Sequence, residues 1–174
     1  MANENDLITT DQSIGKLVTT IDDLMSEVDS DIENLSNKSY QWLCERAIIS
    51  PRNSTAEEIN NNILQKFVAD SQEYLSIDSI IASEDVVNYP QEFLNSLTPS
   101  GLPPHKLSLK VRAPIMLLRN LQLPNLCNGT RLQIKTLRNN IIEDTILTGP
   151  ASGPIAFILR IRMIPTDLPF QFKR

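Results

Sequence analysis

The chain has 174 residues, enough for one domain with a small appendage, and its 41% hydrophobic but only 5% aromatic content implies a core of Ile, Leu and Val. No apolar run approaches the roughly 18–20 residues of a membrane helix, and the opening MANENDLITTDQ lacks a basic start and an apolar stretch, so neither membrane insertion nor secretion is expected. The net charge of −5 hides an asymmetry: residues 1–100 hold 18 acidic and 5 basic side chains, residues 101–174 hold 3 and 11, leaving −13 and +8. A basic half of this kind faces a polyanion or an acidic neighbour, unless it is ordinary solvated β-surface.

The first periodic segment, SIGKLVTTIDDLMSEV, places Ile14, Leu17, Val18, Ile21, Leu24, Met25 and Val28 at helical spacing, with Asp11 or Ser13 as cap. Weaker periodicity in DSDIENLSNKSYQWL predicts a short helix leading into a loop. Arg46–Ser50 (RAIIS), stopped by Pro51, has the pattern of a buried strand. Ser54 and Glu57 stand at capping-box spacing before a helix whose apolar face is Ile59, Ile63, Leu64 and Phe67. Strand, tight loop and helix make the basic unit of α/β folds. EYLSIDSII predicts another strand, and 85–97 one or two short helices, the second opening at Pro90.

From Pro99 the pattern changes. TPSGLPPHKL is a rigid connector, and Leu107, Leu109 and Val111 then alternate with Ser108, Lys110 and Arg112 in a long or bent strand. Asn128-Gly129 is a turn signal, Leu132 and Ile134 alternate with Arg131, Gln133 and Lys135, and Asn139-Asn140 offers a second tight turn. IIEDTIL, the GPASGP turn and IAFILRIRMI complete the set, with Phe157, Leu159 and Ile161 assigned to the inner face. A small antiparallel barrel or sandwich is expected, carrying Lys110, Arg112, Arg131, Lys135, Arg160 and Arg162 outward. Basic residues on exposed strands also discourage aggregation, which is the plain structural alternative.

Enzyme motifs are missing from these residues. There is no GxxxxGK[ST] loop, since Gly15-Lys16 lacks the upstream glycine, and no nucleophilic triad. His105, the only histidine, lies in the Pro-rich connector and is expected at the surface. Asp22-Asp23 follows no strand, as a magnesium-binding acidic pair would. Cys44 and Cys127 show no CxxC spacing, which argues against a zinc site or a disulfide scaffold and for a reducing compartment.

Five strings occur in order: WLCERAIISPRNSTAEEIN, EYLSIDSI, VVNYPQEFLNSLTPSGLPPHKLSLKVRAPIMLLRNL, LCNGTRL and ILRIRMIPTDLPFQFKR. Together they resemble the C-terminal part of the Pif-family DNA helicases of Helitron transposons, closely over 43–174 and more loosely over 6–41. The resemblance implies a superfamily 1 helicase with two RecA-like motor domains, an SH3-like accessory module and 5′-to-3′ movement on single-stranded DNA. It also implies work in repair, recombination or transposon replication, with a nuclear location preferred over a cytoplasmic one.

By this resemblance the fold class is α+β. A helical linker region (1–42) leads to a partial RecA-like α/β unit of the second motor domain (43–98). A small antiparallel SH3-like module of the accessory 2B type, with the return into the motor domain, follows (99–174). RAIISPRN matches the opening strand of the second motor domain, and LSLKVRAPIMLLRN with LCNGTRL the accessory region. Many relatives carry Gly where Arg112 stands, and Pro or Lys where Leu159 and the 149–153 turn fall. The phosphate-binding loop and magnesium acid of the family are expected before Met1 and the arginine finger after Arg174. The chain alone is therefore expected to hold no cofactor, although the parent family uses ATP and magnesium, and to hydrolyse nothing. Its expected partners are single-stranded DNA, bound weakly through Arg52, Asn53, Lys110, Arg131, Lys135 and Arg160, and the missing motor domain. A stand-alone nucleic-acid-binding or protein-interaction module is the alternative.

Overall fold

The computed structural model describes residues 15–28, 34, 37–81, 89–165 and 168–174. Among the described residues, four helices precede Pro99: α1 (Ile21–Val28), α2 (Tyr40–Glu45), α3 (Asn53–Lys66) and α4 (Gln91–Ser96). Two strands interleave with them, β1 (Ser71–Leu75) and β2 (Ser79–Ile80). After Pro99 come β3 (Lys106–Lys110), β4 (Pro114–Met116), β5 (Arg131–Leu137), β6 (Ile141–Ile146), β7 (Ile155–Leu159) and β8 (Phe172–Lys173). All named strand pairs are antiparallel: β1 with β3, β2 with β8, and a four-stranded sheet ordered β4-β5-β6-β7. The α+β class expected from the sequence holds.

The β4-β5-β6-β7 sheet follows from its turns and its alternation. Gly129, at φ +86°, supplies the positive backbone angle of the turn in which Thr130 N–H donates to Cys127 C=O. Leu132 and Ile134 point to the same face and are fully buried, each contributing roughly 1.5–3 kcal/mol of apolar burial. Arg138 N–H donates to Ile141 C=O to close the β5–β6 hairpin at Asn139-Asn140. A bulge between Ile134 and Thr136 adds one residue to β5.

Between β3 and β4 the chain changes partners. Arg112 adopts φ 67°, Ala113 N–H donates to Lys110 C=O, and Arg112 N–H donates to Ile134 C=O at 2.7 Å. This corner turns a strand paired with β1 into one paired with β5. Leu43, Phe67, Leu109, Ala113 and Ile134 fill the junction, so α2 and α3 pack where the two sheets meet. A second core, Leu117, Leu126, Leu132, Ile146 and Ala156, lies under the sheet. A third gathers Ile80, Leu94, Leu102 and Phe172 around α4.

Several expectations are corrected. Arg46–Ser50 is not a strand; Ile49 is 92% exposed, because no described strand lies beside the run to satisfy its backbone. The capping box is not formed: α3 starts at Asn53 with an extended Arg52 as N-cap, which leaves Ser54 inside the helix. EYLSIDSII divides into β1 and β2, separated at Asp78, whose carboxylate is drawn inward. Helix α1 begins at Ile21, not near Ile14; Thr20 Oγ1 accepts from Asp23 N–H, and Leu17 is left exposed. The proposed caps Asp11 and Ser13, with Ile14, lie outside the described residues, as do 85–88, the start of the one or two short helices expected over 85–97.

The face of β7 is reversed. Phe157, Leu159 and Ile161 are 59%, 59% and 49% exposed, whereas Ala156 is buried and Ile158 packs on the second core. Register with β6 decides this, since Ala156 lies opposite Asp144, and Ile158 opposite Ile142, on the inner face.

Candidate nucleic-acid interface

The six basic or polar residues chosen from the sequence do not converge. Arg52 and Asn53 lie exposed at the start of α3, where backbone N–H groups are open. Lys110 reaches across β3 and donates to Phe67 C=O at 2.7 Å, closing the C-terminal end of α3. Lys135, at the β5 bulge, pairs with Glu143 at 2.7 Å, a contact that holds the Glu143 carboxyl below its usual range. Arg160 donates to Leu75 C=O at the end of β1. Arg131 is half-buried, and its guanidinium donates to Cys44 C=O at 2.9 Å and to Arg46 C=O at 3.0 Å. Three of the four basic side chains chosen after Pro99 are thus spent on backbone carbonyls and one on a carboxylate.

The Arg131 contacts reveal a constellation that strand alternation did not suggest. They fasten the end of α2 to β5, next to a half-buried Trp42. Over the Trp42 ring stand the Arg46 guanidinium, 4.4 Å from the centroid, and the Lys38 ammonium, at 5.3 Å. Arg112 donates to Asn37 Oδ1 at 3.4 Å, and its carbonyl accepts from Gln133 Nε2 at 3.1 Å. The two ends of α2 make the grouping: Trp42 lies on the helix, Lys38 just precedes its N-cap Ser39, and Arg46 is its extended C-cap. The K-x3-W-x3-R string, two cations flanking an aromatic residue, is the signal available in the sequence.

A different polar cluster lies near α4. Asp78, at the start of β2, is buried, and the Arg174 guanidinium meets both its oxygens, Nε to Oδ1 at 3.0 Å and Nη2 to Oδ2 at 2.7 Å. Arg174 also donates to the carbonyls of Leu94, Leu97 and Pro103. His105, expected at the surface, is instead one-quarter exposed; its Nδ1 lies 2.7 Å from Ser76 Oγ and 3.8 Å from Asp78 Oδ2. Serine and aspartate approach the same ring nitrogen, whereas a catalytic triad places them on opposite ones. The cluster is a structural latch between β2, α4 and the residues after Gly101.

Asp144, in the middle of β6, is fully buried, and neither of its carboxylate oxygens has a hydrogen-bond partner. Burial, with a smaller contribution from neighbouring Glu143, pushes its carboxyl up to about 7. A concavity of about 350 Å³ between α3 and the β1–β3 pair is lined by Asn61, Gln65, Gln72, Glu73 and Lys110 among others and includes no His or Cys. No helix among the described residues is long and apolar enough to cross a membrane.

Residues 92–137 match the family model of the 2B domain of the DNA helicase Pif1. The segment runs from α4 through β5, across the Arg112 corner. In fold, the chain is similar to a Pif1 helicase solved in a study of DNA unwinding at forked double-stranded DNA, with TM-score 0.52, 16% identity, and coverage of 91% of this chain and 35% of that one. Pif1 from Candida albicans aligns at TM-score 0.45 and 15% identity, over 90% of this chain and 43% of that one. Unliganded Pif1 from Bacteroides sp. aligns at 0.48 and 19%, over 90% and 32%. The chain spans between about a third and two fifths of the helicase chains it matches. No curated protein matches its sequence. The Pif-family resemblance read from the sequence is borne out at the level of the family.

Proposed function

We propose that this chain, a piece of the Pif1 helicase family that carries its 2B segment, is a non-catalytic module that holds single-stranded DNA weakly beside a motor supplied by other residues. The observation that carries this reading is the 2B match across 92–137, on a fold shared with a Pif1 helicase. Phosphoryl transfer needs a phosphate loop, a magnesium acid and an arginine finger together. The 174 residues contain no GxxxxGK[ST] sequence. ATP and magnesium therefore belong to the parent helicase, as do 5′-to-3′ unwinding and a part in repair, recombination or transposon replication. The Helitron type, a nuclear location and the division into a linker (1–42), a partial motor domain (43–98) and an accessory module (99–174) rest on the sequence resemblance.

One observation favours a second reading, a protein-interaction module. Ile155, Phe157 and Leu159 form an exposed apolar stripe on β7, an edge strand of its sheet. In the parent helicase this stripe would pack against the motor domain. The test is a forked DNA substrate with ATP and magnesium. Pure protein is expected to retain the single-stranded arm without separating strands or releasing phosphate. Strand separation, or no retention of the arm at any salt concentration, overturns the proposal.

A further inference from the structure

The two faces of β7 differ in kind. Ala156 and Ile158 turn inward onto the second core. Ile155, Phe157 and Leu159 turn outward, with the Phe157 side chain exposed in the middle of the strand. Register supplies their neighbours on that face: Thr145 lies opposite Ile155, Glu143 opposite Phe157 and Ile141 opposite Leu159. From β5, Thr136 lies opposite Glu143, and Arg138 N–H donates to Ile141 C=O, so both extend the same face. Lys135 reaches it from the bulge and pairs with Glu143 at 2.7 Å. The charge of Arg138 also helps to hold the Glu143 carboxyl low, which places its guanidinium on this side of the sheet. An exposed aromatic ring thus stands between two aliphatic side chains, with two bases and one acid beside it.

Charge selects what such a face takes. Residues 129–165 hold five basic and two acidic side chains, and one of the acids, Asp144, is buried on the other face. A second copy of the chain would bring the same positive excess and be repelled. A single nucleic-acid strand brings negative phosphates and, unlike a duplex, bases whose flat faces are open to stack on a ring.

We infer, on the functional reading above, that the outer face of β7 is the platform on which a single DNA strand lays its bases, with Phe157 stacking a base and Arg138 meeting a phosphate. Ile155 and Leu159, each about 7 Å from Phe157 along the strand, extend apolar surface to either side of the ring. Stacking asks only for a flat π-face, so the contact ignores base identity. The planar guanidinium of Arg138 suits phosphate oxygens. Its backbone is fixed from below: Tyr74 O–H donates to Arg138 C=O at 2.9 Å, and Gln72 Nε2 donates to Asn139 Oδ1 at 3.1 Å, which anchors the hairpin tip on β1. Lys135 offsets the charge of Glu143, the acid nearest in register to the ring.

The experiment titrates the full chain into a labelled thirty-nucleotide oligo-dT, and into an abasic strand of the same length, at a series of salt concentrations. Wild type is compared with Phe157→Thr, Phe157→Tyr and Arg138→Gln. Threonine suits an exposed strand position, so folding of that variant is preserved, and circular dichroism verifies it. Phe157→Thr is expected to bind oligo-dT at least about fivefold more weakly, the loss of one stacked base, with its salt slope unchanged. On the abasic strand, which offers phosphates and no rings, it should match wild type. Phe157→Tyr keeps a ring and should bind as wild type does. Arg138→Gln should shrink the log–log salt slope by about 0.7, one phosphate contact on a single strand. If wild type binds oligo-dT and Phe157→Thr binds it equally well, the platform is assigned wrongly, while the functional reading stands. The same holds if Phe157→Thr weakens binding to both strands alike, because the ring then serves the fold and not a base. Self-association of wild type in sedimentation, abolished by Phe157→Thr with DNA binding unchanged, overturns the inference in favour of a protein contact. If wild type binds no oligonucleotide at any salt concentration, the functional reading has failed and the inference falls with it.

Discussion

The Arg174 guanidinium lies against the Asp78 carboxylate in a two-pronged pair, with both side chains almost wholly buried and three carbonyls taking the remaining donors. This pair joins β2 to the strand that returns along it, β8. Removing one partner strands a buried charge, whereas removing both does not. Asp78→Leu is expected to lower stability by about 3–5 kcal/mol, and Asp78→Leu with Arg174→Met by clearly less. Chemical denaturation of the three proteins checks this; a double variant as unstable as the single one refutes the ion pair as the cause.

Asp144 gives a pH dependence of known sign. Its carboxyl titrates near 7 in the fold against 3.8 as the ordinary value, so the folded state keeps a proton that the unfolded chain releases. The stability it permits is fully present below about pH 4 and is lost as pH rises toward 7. Replacing it with Val, a residue suited to a strand, should raise the melting temperature at pH 8 and raise it less at pH 4.5. An equal gain at the two pH values would show that charge burial is not the cost.

Arg112 occupies a backbone angle that costs an L-residue about 1 kcal/mol or more. Arg112→Gly is expected to stabilise the chain by up to about 1 kcal/mol, less whatever the Asn37 contact supplies. Arg112→Val, branched at Cβ, should destabilise it. A thermal melt of both variants decides the point, and a glycine variant less stable than wild type contradicts it.

Arg131 is expected to be structural first. Arg131→Met removes two hydrogen bonds from a cationic donor, each worth about 1.5–3 kcal/mol, and frees the segment 44–46 from β5. Proteolysis between α2 and α3 should therefore speed up in this variant and stay unchanged in Lys135→Met. Equal cleavage rates would refute the fastening role.

Much of the fold was legible because period and turn chemistry agreed. The Ile59–Phe67 face, the buried Leu132 and Ile134, the Asn128-Gly129 turn and the β5–β6 hairpin all appear where alternation placed them. The faces of β7 were not legible. Both phases of IAFIL are apolar, so alternation offers no choice, and register with β6 selects Ala156 and Ile158. Arg46–Ser50 reads as a strand because it is apolar, but strand formation also needs a neighbour. The candidate site was only half visible. Outward-pointing bases are easily counted, yet whether each meets a carboxylate, a carbonyl or a ring depends on contacts such as Arg131 with Cys44, 87 residues apart in sequence.

The central claim is that the chain holds single-stranded DNA by charge and does no work on ATP. Its most direct test is the salt dependence of oligo-dT binding by wild type, followed with and without ATP and magnesium. The account predicts an affinity in the non-specific range, about 10⁻⁴ to 10⁻⁶ M, that weakens along a straight log–log line as salt rises, by about 0.7 in slope for each phosphate contacted on a single strand, and ignores nucleotide. A slope near zero, or an affinity that changes when ATP is added, would contradict it.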